Sequence, residues 1–113
     1  LCFAHAAQIR RALRLDSIAT KTYSIFTEKA QMHMVIERAD GIVNLCEMKY
    51  TQQQYALDKT EAEKVTRRMD SLRVLNRKRQ NVQCVLVTKQ DAKQNSYYNN
   101  LITKNLTLSD LMN

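Results

Sequence analysis

Apolar and polar positions recur along this chain with two different periods, and the changes of period mark its elements. Across residues 2–14, Cys2, Ala6, Ile9 and Leu13 return at helical spacing, while Arg10, Arg11 and Arg14 fall at other angles. The pattern predicts an amphipathic helix ending near Leu15-Asp16. From Thr20 to Thr27 (TKTYSIFT) the residues alternate and are β-branched or aromatic, which predicts a strand. After a short connection at Glu28-Lys29-Ala30, Gln31 to Arg38 reads as a second strand and Ile42 to Tyr50 as a third. Between them lies Ala39-Asp40-Gly41, which holds the only glycine of the chain. It is the strongest hairpin signal here, because glycine reaches positive φ without a steric penalty.

In the third strand Val43, Leu45, Glu47 and Lys49 share one face, and Ile42, Cys46 and Met48, with Asn44, share the other. Both faces begin apolar, so this strand is expected to be central and covered on both sides. Asp58 can cap a long helix from about Lys59 to Asn76, with Val65, Met69 and Leu72 as its apolar stripe. Lys64, Arg67, Arg68 and Arg73 lie outside that stripe. Val82 to Thr88 (VQCVLVT) is a valine-rich run that fits a buried strand after a crossover helix. A last edge strand is expected at Leu106-Thr107-Leu108, with Ser109 capping a final turn. The order αβββαβ, with one extra β, predicts an α/β fold whose central mixed sheet is flanked by helices.

Composition narrows this picture. The 113 residues suffice for one domain with a modest core, and 44% hydrophobic and 26% charged residues are ordinary for a globular chain. No run of about 18 apolar residues is present to cross a membrane, and no basic n-region introduces a leader. Cys2, Cys46 and Cys84 lie far apart in apolar settings, which predicts reduced, buried thiols and a cytoplasmic location. The first residue is not Met and falls inside the predicted helix, so a piece of a longer protein is expected. A net charge of +7 favours polyanionic partners, nucleic acid first.

Candidate chemistry sits at the end of the third strand. Glu47 and Lys49 project to the same side, about 7 Å apart at roughly 3.3 Å per residue. A carboxylate there can hold a divalent cation, and an ammonium beside it can orient a water or stabilise charge developing on a phosphate. The neighbouring strand would supply the second ligand, and the turn decides which residue that is. A three-residue loop with Gly41 left-handed pairs Arg38 with Ile42 and sets His33 across from Glu47. A two-residue loop sets Met34 there instead and takes His33 off that face.

The stretch AQMHMVIERADGIVNLCEMKY, with CFAHAAQIRRAL, ALDKTEAEKVTRRM and NLTLSDLMN around it, resembles a known domain. That domain is the restriction-endonuclease-like, or PD-(D/E)XK, nuclease-like domain at the C-terminus of bacterial AAA-type ATPases. The resemblance covers residues 1–113 as a single domain and implies the restriction-endonuclease-like αβββαβ fold, with a first helix beginning before Leu1. It implies metal-dependent hydrolysis of DNA phosphodiesters, with Mg²⁺ or Mn²⁺ as cofactor. Glu47 matches the family's metal ligand and Lys49 its catalytic lysine. The family's aspartate position falls on His33, a departure that substitutes a softer ligand without negative charge. Implied partners are DNA and the N-terminal ATPase region of the same longer chain, and an oligomer remains open. A nuclease silenced at His33, serving as a nucleic-acid-binding or protein-binding regulatory module of the ATPase, is the alternative. The chain itself has no phosphate-binding glycine loop.

Plainer readings stand beside these. Glu47 and Lys49 can be a solvent-side ion pair, and His33 a histidine on the sheet surface. Lys64, Arg67, Arg68 and Arg73, the candidate nucleic-acid-binding face together with Arg77, Lys78 and Arg79, can be merely solvated. Tyr97-Tyr98 can stack on bases or pack beneath a loop. Glu61 and Glu63 can bring a relocated carboxylate from the helix.

Overall fold

Alternation in the first half of the chain produces a three-stranded antiparallel meander, to which a crossover helix adds parallel strands. The computed structural model describes residues 6–26, 32–75 and 81–112. Its elements are α1 (Ala6–Ala12), β1 (Thr20–Phe26), β2 (Met32–Arg38), β3 (Ile42–Lys49), α2 (Lys59–Leu75), β4 (Asn81–Thr88), α3 (Ser96–Leu101), β5 (Ile102–Thr107) and α4 (Leu108–Met112). The expected αβββαβ succession is therefore present, extended by α3, β5 and α4. The five strands form one mixed sheet in the order β1-β2-β3-β4-β5. β1, β2 and β3 run antiparallel to their neighbours, and β3, β4 and β5 run parallel. Cys2, expected above as a buried thiol, and Arg77, Lys78 and Arg79, raised as an extension of the basic face, lie outside the described residues.

The β2–β3 turn decides the register. Gly41 has φ +92, and its N–H donates to the Arg38 carbonyl at 3.1 Å. This is the three-residue loop, and it pairs Met34 with Cys46 and Val35 with Leu45. One step beyond that ladder, His33 comes across from Glu47 on the same face of the sheet.

Each face of the sheet carries its own core. Val35, Val43, Leu45, Cys84 and Leu86 pack against Ala62, Val65, Met69 and Leu72 of α2. On the opposite face Met34, Ile36, Cys46, Val85 and Val87 pack against Ile9 of α1 and Leu111 of α4. β3 is thus central and covered on both sides, as its apolar start predicts. Cys46 and Cys84 are buried and belong to opposite faces.

Three local features differ from the sequence-based expectation. α3 went unpredicted because it buries no residue fully and so lacks an apolar period. It forms because Asn95 caps it, its side chain accepting from the Tyr98 N–H at 2.9 Å. β5 begins at Ile102 rather than Leu106, since Thr103 and Lys104 are exposed and mask the strand in the sequence. The cap of α4 is Thr107, not Ser109. The Asp110 N–H donates to Thr107 Oγ1, and the Asp110 carboxylate accepts from both the Thr107 N–H and its hydroxyl.

Candidate functional site

On the α2-facing side of β2 and β3, the apolar Val35, Val43 and Leu45 lie beside one polar end formed by His33, Glu47 and Lys49. None of the three is a surface group. Glu47 is fully buried, His33 is 1% exposed and Lys49 9%. The solvent-side ion pair and the sheet-surface histidine are both overturned, because α2 closes over this face. Burial of polar side chains demands partners, and α2 supplies them for Glu47 and Lys49. Arg68 Nη1 donates to Glu47 Oε1 at 2.8 Å, and Lys49 Nζ donates to Glu61 Oε2 at 3.3 Å. Glu61 also faces Lys64 at 3.6 Å.

Arg68 therefore does not belong to an outer basic face. Lys64 is engaged with Glu61, and Arg73 bonds Asp70 at 2.7 Å. Of the four cations proposed for nucleic acid, Arg67 alone has no acidic partner among the described residues. Helix geometry explains the division. At about 100° per residue Arg67 points opposite the Val65-Met69-Leu72 stripe, whereas Arg68 flanks it. The same arithmetic holds the clue that the sequence reading missed. Glu61 and Arg68 are seven residues apart, hence within about 20° of each other on one flank of α2. A helix crossing over from β3 to β4 can turn that flank toward the sheet.

Not every polar atom is satisfied. Both ring nitrogens of His33 and Oε2 of Glu47 are buried without a hydrogen-bond partner. His33 Nδ1 lies 3.7 Å from Glu47 Oε2, beyond hydrogen-bonding distance. Burial, reinforced by the charges of Arg68 and Lys49, pushes the histidine down to about 4. It is neutral at physiological pH, so the contact with Glu47 is not an ion pair. Burial pushes the Glu47 carboxyl up, against the opposing pull of Arg68 and Lys49. Glu61 goes the other way. Its partial burial would raise it, but Lys49, Lys64 and Arg68 outweigh that and hold it below the ordinary carboxylate range.

These donors do not fit a hard dication. Mg²⁺ is held by carboxylate oxygens together with waters and phosphates. Here one oxygen of Glu47 is taken by a guanidinium, the facing ligand is a neutral imidazole, and the positive charges of Arg68 and Lys49 already act on the carboxylate. Among the described residues, no three His, Cys, Asp or Glu side chains converge to hold a metal ion. What the arrangement can do is hold a buried negative charge with an internal cation. Of the two helix carboxylates, Glu61 comes to Lys49 as an ion-pair partner, while Glu63 lies at the groove between α2 and α3.

No helix among the described residues is long and apolar enough to cross a membrane. In comparison with known proteins, the chain matches no family model, no curated protein and no solved structure.

Proposed function

We propose that this chain is a restriction-endonuclease-like domain whose metal site is closed, a nucleic-acid-binding module that does not hydrolyse phosphodiesters. The observation that carries this reading is the bond from Arg68 to the fully buried Glu47. The residue matching the family's metal ligand already has a cation, one that belongs to the chain. His33 opposite it adds no negative charge to recruit another. The net charge of +7 supports a polyanionic partner. By its resemblance the module would serve an AAA-type ATPase region of the same longer chain.

A second reading, metal-dependent hydrolysis, is favoured by one observation. Glu47 Oε2 is unpartnered and Lys49 stands two residues on, held by a second carboxylate. One assay decides between them: the protein is incubated with plasmid DNA in Mg²⁺ and separately in Mn²⁺. The closed-site reading expects a gel-mobility shift without cleavage under either metal. Cleavage that disappears in Lys49→Ala would overturn it in favour of hydrolysis. Absence of both cleavage and shift would remove nucleic acid from the account.

A further inference from the structure

The second flank of α2 carries a different arrangement. A groove of about 510 Å³ runs between α2 and α3, with Ala62 and Leu101 beneath it and Lys59, Arg67 and Tyr97 along it. We infer that this groove binds single-stranded nucleic acid, one base stacked on Tyr97 and neighbouring phosphates on Arg67 and Lys59. The inference rests on the nucleic-acid reading above and says where the strand lies. It moves that contact away from Glu47 to the opposite side of α2.

Three observations converge on it. Tyr97 is 37% exposed and lies along the groove, while Tyr98, one residue on, is half-buried against the core. An aromatic ring held at the edge of an apolar trough offers a base a stacking surface, and only unpaired bases present a free face. Charge is the second. Lys49, Lys64, Arg68 and Arg73 are each bound to a carboxylate. Lys59 and Arg67 have no acidic partner among the described residues, so a strand lying along α2 meets two uncommitted cations. They are eight residues apart, roughly 12 Å along the helix at 1.5 Å per residue. Asn100, also at the groove, brings an amide able to bond a base edge, and Glu63 is the one opposing charge.

The third observation is that the groove is built rigidly. Asn95 caps α3 through the Tyr98 N–H, and its amide donates to the Leu57 carbonyl at 2.9 Å. Leu57 directly precedes Asp58, whose carboxylate caps α2 by accepting from the Glu61 N–H at 2.8 Å. One asparagine thus ties the start of α3, and with it Tyr97, to the start of α2. A platform fixed before binding loses less entropy on meeting its ligand.

The test is fluorescence anisotropy of a labelled dT12 oligonucleotide against the 113-residue chain at low salt. Tyr97→Ala is expected to weaken binding by about fivefold or more, and Tyr97→Trp to preserve it. Arg67→Ala should weaken binding and flatten the dependence of log K on log salt by about 0.7. Arg73→Ala, whose side chain is tied to Asp70, should leave both unchanged. A salt slope is a readout that a merely structural role would not move, and unchanged circular dichroism confirms that the variants fold. Wild-type affinity in both Tyr97→Ala and Arg67→Ala would overturn the groove assignment and leave the nucleic-acid reading standing. Duplex DNA or dTMP bound as tightly as dT12 would overturn the single-strand assignment. No binding of any of these by the wild type would remove both readings.

Discussion

Replacing Arg68 with methionine removes the guanidinium from Glu47 while keeping most of the apolar stem. The cost can be worked from the geometry. At an effective dielectric constant near 20, unit charges 2.8 Å apart attract by about 6 kcal/mol. Each charge is spread over several atoms, and Lys49 remains to serve Glu47, so about half of that is expected to be lost. The resulting ~3 kcal/mol lies at the lower end of what breaking a buried pair costs. Urea unfolding, at about 2 kcal/mol per M, should show the midpoint falling by about 1.5 M. The loss should shrink as pH is lowered, because Glu47, pushed up by burial, takes a proton more readily than an ordinary carboxylate and then needs no cation. Glu47→Leu alone should cost about 1 kcal/mol, since Arg68 is 14% exposed and can turn to solvent. The Glu47→Leu, Arg68→Met double variant should lie within about 1 kcal/mol of the wild type, as apolar replacements of buried pairs often do. A coupling energy below about 0.5 kcal/mol, the value of an exposed pair, would refute the claim that Arg68 is the internal counter-ion of Glu47.

Three further outcomes follow from the same structure. His33 stays neutral in the fold down to about pH 4, whereas the unfolded chain protonates it near 6.5. Its contribution is therefore complete above pH 6.5 and is lost as pH falls toward 4, up to about 3 kcal/mol. Because Glu47 contributes with the opposite sign, the measurement is the difference between wild type and His33→Asn from pH 7.5 to 4.5, and parallel curves would contradict it. Asn105 accepts from the Ala92 N–H at 2.8 Å and donates to the Leu86 carbonyl and Thr88 hydroxyl, each at 3.0 Å. Asn105→Ala should cost about 2–3 kcal/mol in chemical unfolding, and a loss under 1 would show that water replaces the clamp. Gly41→Ala meets no atom within 4 Å, so only its φ of +92 opposes the substitution. A loss of about 1 kcal/mol is expected, and a thermal midpoint unchanged from wild type would show that the turn relaxes.

Where a residue's role is decided by its own strand, the sequence was readable. The alternation of residues 20–26 and 32–49 sufficed for the meander and for the shared face of Glu47 and Lys49, and the single glycine at 41 narrowed the register to two turns, of which the three-residue loop brings His33 onto that face. Where the role depends on how one element leans on another, it was not. A helical projection puts Arg68 only at the flank of the apolar stripe, and it is the docking of α2 on the sheet that turns it onto Glu47. α3 shows the same limit in another form. Ser96–Leu101 has no apolar rhythm of its own and is held by Asn95 from outside.

The two buried thiols emerge on opposite sides of neighbouring strands, with Leu45 beside Cys84 and Cys46 beside Val85. That placement forbids a bridge between them in the folded chain and gives each helical layer a private chemical reporter. In a Cys2→Ser background, Cys84 reacts with an alkylating reagent only when the α2 layer lifts, and Cys46 only when the α1–α4 layer does. Equal labelling rates would mean that the sandwich opens as one body. Unequal rates would name the layer that peels away first.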